Sequence, residues 1–214
     1  MRKEINTIVS NNFLRYSDII KDDHPNLRLK SEPVRIPLSQ EDLDTLIKMN
    51  QYLEHSQDIE FCAANNIRPG VGLAAPQLNI QKQMFVIFAS NEDGEEFHYG
   101  IINPKILSHS EELTFLPTGE GCLSVDRTIQ GFVHRPRRIR FRAYFYDFGE
   151  NKLFEAESRL EGYLAIVFQH EYDHLQGILF YDRINKENPF YIPKNSTPIE
   201  FSTEDEELED DSSK

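Results

Sequence analysis

The sequence predicts an α+β fold in which antiparallel sheets pack around a central helix. Two observations lead there. The middle of the chain carries short apolar or alternating runs, MFVIFA (84–89) and RIRFRAYFYDF (138–148), bounded by turn residues. From about Tyr163 that pattern ends, and YLAIVFQHEYDHLQ runs without Gly or Pro until Gly177, a suitable residue to stop a helix. With 214 residues, 39% of them hydrophobic, and 15 Phe beside 9 Tyr, the chain can bury one sizeable core.

Taken in order, the first 38 residues are polar and broken by Pro25, Pro33 and Pro37, and Phe13, Leu14, Ile19 and Ile20 predict a short helix within the first 20. Residues 39–55 read as a helix: Ser39 can cap it, Glu41 and Asp42 suit the first turn, and Leu43, Leu46, Ile47 and Leu53 share a face. A second short helix is expected at 58–65, before Pro69 and Gly70 break the chain. Strands are expected at 84–89, at 99–104 and separately within 105–115, with a turn at 91–95. Residues 138–148 and 152–160, joined by Gly149-Glu150-Asn151, give the strongest hairpin signal. Residues 163–176 form the central helix, and residues from 185 onward are extended. The division expected is a single catalytic domain over 1–201 with an irregular N-terminal segment, followed by an acidic, disordered tail at 202–214. Residues 204–211 hold seven carboxylates.

The formal charge is −13, from 36 acids against 23 bases. That balance disfavours a nucleic-acid-binding module, although His134-Arg135-Pro136-Arg137-Arg138 is a local basic patch. The apolar runs at 84–89 and 163–168 are far shorter than the roughly 20 residues of a membrane helix. MRKEINTIVSNNF lacks the features of a secretory signal, so a cytoplasmic location is expected. Of the two cysteines, Cys62 reads as a buried small hydrophobe, whereas Cys122 is either that or a metal ligand.

Chemistry concentrates in three segments. In His170-Glu171-Tyr172-Asp173-His174, two imidazoles at i and i+4 lie one above the other on a helix and can reach one metal. Glu171 projects about 100° round from His170, near enough to serve a water on that metal without being a ligand. A third ligand is needed. A metzincin would place it at position 180, which is Phe180, and the downstream Glu187 follows no second helix. The better candidate is Cys122, within Glu120-Gly121-Cys122-Leu123-Ser124, since coordination deprotonates a thiol. Two histidines, one cysteine and a water would be a zinc pattern. The third segment, Gly70-Val71-Gly72-Leu73-Ala74-Ala75-Pro76-Gln77, allows close backbone approach and ends on an amide donor.

GVGLAAPQ, EGCLS and QHEYDHLQG, in this order, resemble the three motifs of the peptide deformylases, and the resemblance spans about residues 60–185. Ser124-Val125-Asp126-Arg127 resembles the type II bacterial subclass. The resemblance implies hydrolytic removal of the formyl group from N-formylmethionine on nascent polypeptides. It implies Cys122, His170 and His174 as ligands of Fe2+, with Zn2+, Ni2+ or Co2+ able to substitute. It implies Glu171 as proton carrier, and the Gln77 amide and Leu123 N–H as donors to the developing oxyanion. It further implies a methionine pocket with walls from Val71, Gly72, Tyr163, Ile166 and Val167, and a substrate-side role for Glu120. Ile166 and Val167 stand i−4 and i−3 from His170, on the metal's side of the helix. The expected partner is the nascent chain at the ribosome exit, met by a monomer, with no membrane and no direct nucleic-acid contact. Three competing readings are weaker. A zinc endopeptidase lacks its third ligand. A silent deformylase-like binder would be expected to lose Glu171, Gln77 or Cys122. A structural metal site would close the fourth position with a protein side chain.

Overall fold

The computed structural model describes residues 13–200. Helix α1 (Gln40–Ser56) begins where Ser39 predicts: the Ser39 hydroxyl accepts the Asp42 N–H at 3.2 Å. Its buried face is Leu46, Met49 and Leu53, with Leu43 and Ile47 partly covered. Asp58 caps α2 (Ile59–Asn65) in the same manner, accepting the Phe61 N–H at 2.9 Å. The chain then runs through β1 (Gly72–Ala74), β2 (Met84–Ser90), β3 (Glu96–His109), β4 (Leu113–Phe115), β5 (Arg135–Pro136), β6 (Arg138–Asp147), β7 (Lys152–Glu161), α3 (Gly162–Leu175) and β8 (Ser196–Pro198).

The main sheet has the order β1-β2-β3-β6-β7, and every neighbour is antiparallel. β2 explains why MFVIFA is apolar throughout. Phe85, Ile87 and Ala89 face the core beneath α3, while Met84 and Val86 face the core beneath α1, so both faces are dry. Phe168 of α3 meets Phe85 edge-on at 5.2 Å between ring centroids and lies 4.1 Å from Phe141. On its other side α3 touches β4 and β5 of a small sheet ordered β5-β4-β8.

Two expectations are corrected, and a third, the extended C-terminal stretch, holds with a pairing added. Residues 99–104 and the start of 105–115 are one strand, β3, not two. Pro104 is tolerated because the register with β6 is broken between Ile102 and Lys105, so its missing N–H costs no ladder bond. Asn103 there has φ 51°, and its side chain bonds both Val34 N and Val34 O at 2.8 Å. The C-terminal stretch is extended but not free, since β8 pairs with β4, and that pairing is parallel. Of the first 20 residues, where a short helix is expected, only 13–20 are described, and they hold a 3-10 turn at Tyr16–Asp18 and no α-helix. Residues 202–214, expected as a disordered tail, lie outside the described residues, as do the first twelve.

Candidate metal centre and cleft

Helix α3 starts abruptly. Gly162 has φ 60°, and a Cβ there would stand 2.1 Å from Glu92 Oε1. That same carboxylate oxygen accepts the Tyr163 N–H at 3.0 Å, so an acidic side chain from the β2–β3 turn sits at the positive end of the helix. One face of α3, with Leu164, Ala165, Phe168 and Leu175, is committed to the core. Residues Tyr163, Ile166, Val167, His170 and Glu171 are left to line a cleft of about 330 Å³.

Eleven of the twelve residues singled out from the sequence line this cleft: Val71, Gly72, Gln77, Glu120, Cys122, Leu123, Tyr163, Ile166, Val167, His170 and Glu171. The twelfth, His174, is buried one helical turn beyond His170, their ring centroids 5.2 Å apart. Donor atoms of Cys122, His170 and His174 all lie within 4.8 Å of one another. His174 Nε2 is 3.4 Å from Cys122 Sγ, about the edge of a tetrahedron with bonds of roughly 2.0–2.3 Å.

The surroundings suit a cation. The Ser124 N–H points at Cys122 Sγ at 3.4 Å, and Gln77 Nε2 lies 3.6 Å from it. His170 Nδ1 is bonded to Glu120 Oε2 at 2.8 Å, which turns its other nitrogen toward the donor set. Burial would depress the His170 imidazole, yet Cys122 and Glu120 hold it well above its ordinary value. His174 is pushed well below its own, by burial and then by the positive charges of His170 and Arg135.

Gln77 sits in the 3-10 turn Ala75–Leu78 with its amide oriented: Oε1 accepts the Ala74 N–H at 2.8 Å, and Nε2 donates to Ser124 Oγ at 3.2 Å. Glu171 is buried, and its Oε2 has no hydrogen-bond partner among the described residues. Burial lifts its carboxyl to about 7, although His170 and Arg135 oppose the shift. A carboxyl poised near neutrality, with an unpartnered oxygen in a cleft, is equipped to take and return a proton.

The open edge of β1 borders the cleft. The Phe88 N–H donates to Val71 O at 2.9 Å, which in an antiparallel ladder turns the N–H and C=O of Gly72 away from β2. Glu120 lines the cleft, but its carboxylate is directed to His170 and Arg135 rather than to the open space.

Sequence reasoning missed Arg135, Asp173 and Ser124. Arg135 was counted only as part of a local basic patch, and it is 2% exposed. The signal was indirect: Glu120 and Asp173 sit in segments bound for the interior and need a cation beside them. Cys62 lies in the core against α1, as its sequence context predicts.

A polypeptide deformylase family model matches residues 16–190. Among curated relatives, a peptide deformylase of Oceanobacillus iheyensis is 49% identical over 183 residues, 86% of this chain and 97% of the relative. A peptide deformylase 2 of Geobacillus stearothermophilus is 50% identical over 85% of this chain and 96% of its own. Among solved structures, the Thermotoga maritima peptide deformylase superimposes with a TM-score of 0.60 at 31% identity, over 81% of this chain and 99% of that one. The Ehrlichia chaffeensis enzyme gives 0.61 at 30% identity, over 82% and 90%. With the three motifs gathered on one cleft and a family match over most of its length, the chain belongs to the polypeptide deformylase family.

Proposed function

We propose that Cys122, His170 and His174 hold the catalytic metal of this deformylase, with Glu171 as its proton carrier and the Gln77 amide and Leu123 N–H as donors to the formyl oxygen. By family the chain is a metal-dependent hydrolase that removes the N-formyl group from nascent peptides. The observation that carries the residue assignment is the meeting, in one cleft, of the three-donor cluster with the unpartnered carboxylate of Glu171. A bound divalent metal supplies Lewis-acid polarisation and a lowered pKa for water at its open position.

The remaining steps belong to the side chains. The methionine side chain enters between Val71, Tyr163, Ile166 and Val167, and the peptide backbone pairs with the outward N–H and C=O of Gly72. Glu171 takes a proton from the attacking water, whose oxygen adds to the formyl carbon. Negative charge then gathers on the formyl oxygen, facing the Gln77 amide and the Leu123 N–H; donors of this kind are worth roughly 3–4 kcal/mol each. Glu171 passes its proton to the departing nitrogen, the carbon–nitrogen bond breaks, and formate and a free N-terminal methionine leave. We assign Fe2+ as the physiological metal, and place the enzyme as a cytoplasmic monomer meeting its substrate at the ribosome exit. Among the described residues no helix is long and apolar enough to cross a membrane.

The test is formate release from a formyl-Met tripeptide, followed against time in air for iron-, nickel- and zinc-loaded protein. Fe(II) gives an electron to oxygen and exposes the Cys122 sulfur to oxidation, whereas Zn2+ has no such step. The iron form is expected to lose activity first, with oxidised Cys122 peptide by mass spectrometry. Equal half-lives would sink the iron assignment.

A further inference from the structure

We propose that Arg135 is a positioning residue for the metal ligands, aiming His170 through Glu120 and tying the ligand helix to the EGCLS segment. The inference rests on reading Cys122, His170 and His174 as those ligands.

Arg135 stands on β5, and its guanidinium, 2% exposed, spends all three nitrogens on two carboxylates. Nε and Nη2 fork onto both oxygens of Glu120, at 2.6 and 3.0 Å. Nη1 donates to Asp173 Oδ2 at 2.8 Å. Only Glu120 reaches an imidazole directly, since His174 Nδ1 has no hydrogen-bond partner among the described residues. Glu120 Oε2 accepts from His170 Nδ1 at 2.8 Å, and Asp173 immediately precedes His174 on α3. Arg183 closes the far side of Asp173 with two contacts of 2.5 Å.

A cluster of this kind is a poor way to gain stability. Buried ion pairs are often matched or exceeded by apolar side chains of similar volume. What the fork does supply is orientation. A bidentate guanidinium fixes the plane of Glu120, and the fixed carboxylate sets both the tautomer and the tilt of His170. A lysine ammonium carries the same charge but cannot grip both oxygens in one plane. The charge and the aim of this contact can therefore be separated by one substitution.

The experiment uses the full chain, stripped by chelator and reloaded with Co2+. Wild type and Arg135→Lys are compared in three measurements: Co2+ affinity by chelator competition, the thiolate-to-cobalt absorption band, and melting of the metal-free protein. The expected result for Arg135→Lys is affinity weakened about 10–100-fold and a shifted band, with a metal-free melting temperature near that of wild type. Affinity within threefold of wild type and an unmoved band would overturn the proposal. If Arg135→Lys gives no cooperative melt, Glu120→Gln takes its place. Its amide oxygen still accepts from His170 but loses the charged fork, so tenfold weaker binding supports the relay and unchanged binding overturns it. Wild type that takes up no Co2+ at one per chain would instead overturn the ligand assignment itself.

Discussion

Gly72 lies so close to Glu171 that no side chain fits between them. A Cβ on Gly72 would stand 2.4 Å from Glu171 Oε1 and 2.7 Å from its Cδ, and rigid strand backbone leaves the carboxylate as the part that must move. Gly72→Ala is therefore expected to lower kcat about 100-fold, the scale of a displacement near 1 Å, with metal content unchanged. A wild-type kcat in that variant would show that Glu171 does not act from this position. Glu171→Ala should cost more than the ~10²–10⁴-fold usual for losing a general acid–base, because in the proposed mechanism the one group serves both proton transfers. Metal analysis alongside formate release checks both halves of the claim, and retention of a tenth of wild-type kcat at full occupancy would end it. Both residues were legible in the sequence, because their chemistry is local: a helical i, i+4 spacing and a glycine where backbone must come close. Arg135 was not, since its burial depends on two carboxylates 15 and 38 positions away.

At the scale of elements, caps and turns carried most of the information. Ser39 announced α1, and Gly149-Glu150-Asn151 announced the β6–β7 hairpin, whereas the cap that Asp58 gives α2 was not singled out in the sequence. β3 was misread at Pro104, because a bulge that excuses a proline is set by the partner strand and leaves no local mark. The start of α1 also makes a contact across the fold: Asp42 Oδ1 meets Lys82 Nζ at 2.5 Å, between α1 and the entry to β2. Burial raises the Asp42 carboxyl, but Lys82 and Ser39 together bring it below its ordinary value of 3.8. A depressed carboxylate adds stability above its unfolded value and loses it as pH falls through its folded one. Asp42→Asn should thus destabilise at pH 7 by ~1 kcal/mol, a loss of about 2–4 °C in Tm. The gap between variant and wild type should narrow at an acidic pH below the ordinary 3.8, as the folded carboxyl takes up its proton. Calorimetry at the two pH values decides it, and a gap of equal size at both would show that the ion pair is not its source.

For the molecule as a whole, an α+β fold of antiparallel strands with a helix at Gly162–Leu175 was legible because two periodicities alternate in the chain, and the parallel β4–β8 pairing was not, because three residues carry no pattern. All the residues that line the cleft fall between 68 and 171. Truncation before Ser202 is accordingly expected to leave kcat/KM on a short formyl-peptide within twofold, since seven acids in eight positions bring no apolar area to bury. A tenfold loss would show that residues 202–214 take part in the working enzyme.

The outward main-chain groups of Gly72, at the open edge of the main sheet, impose a deadline. Any chain bound through them must arrive extended, with its own first residues not yet paired to anything else. Polypeptides lengthen at roughly 5–20 residues per second, while a helix or hairpin closes within microseconds once its residues are free. On the proposed binding mode, deformylation through this edge is a race against the folding of its own substrate, and the proteins whose N-termini fold earliest set the pace the enzyme must keep.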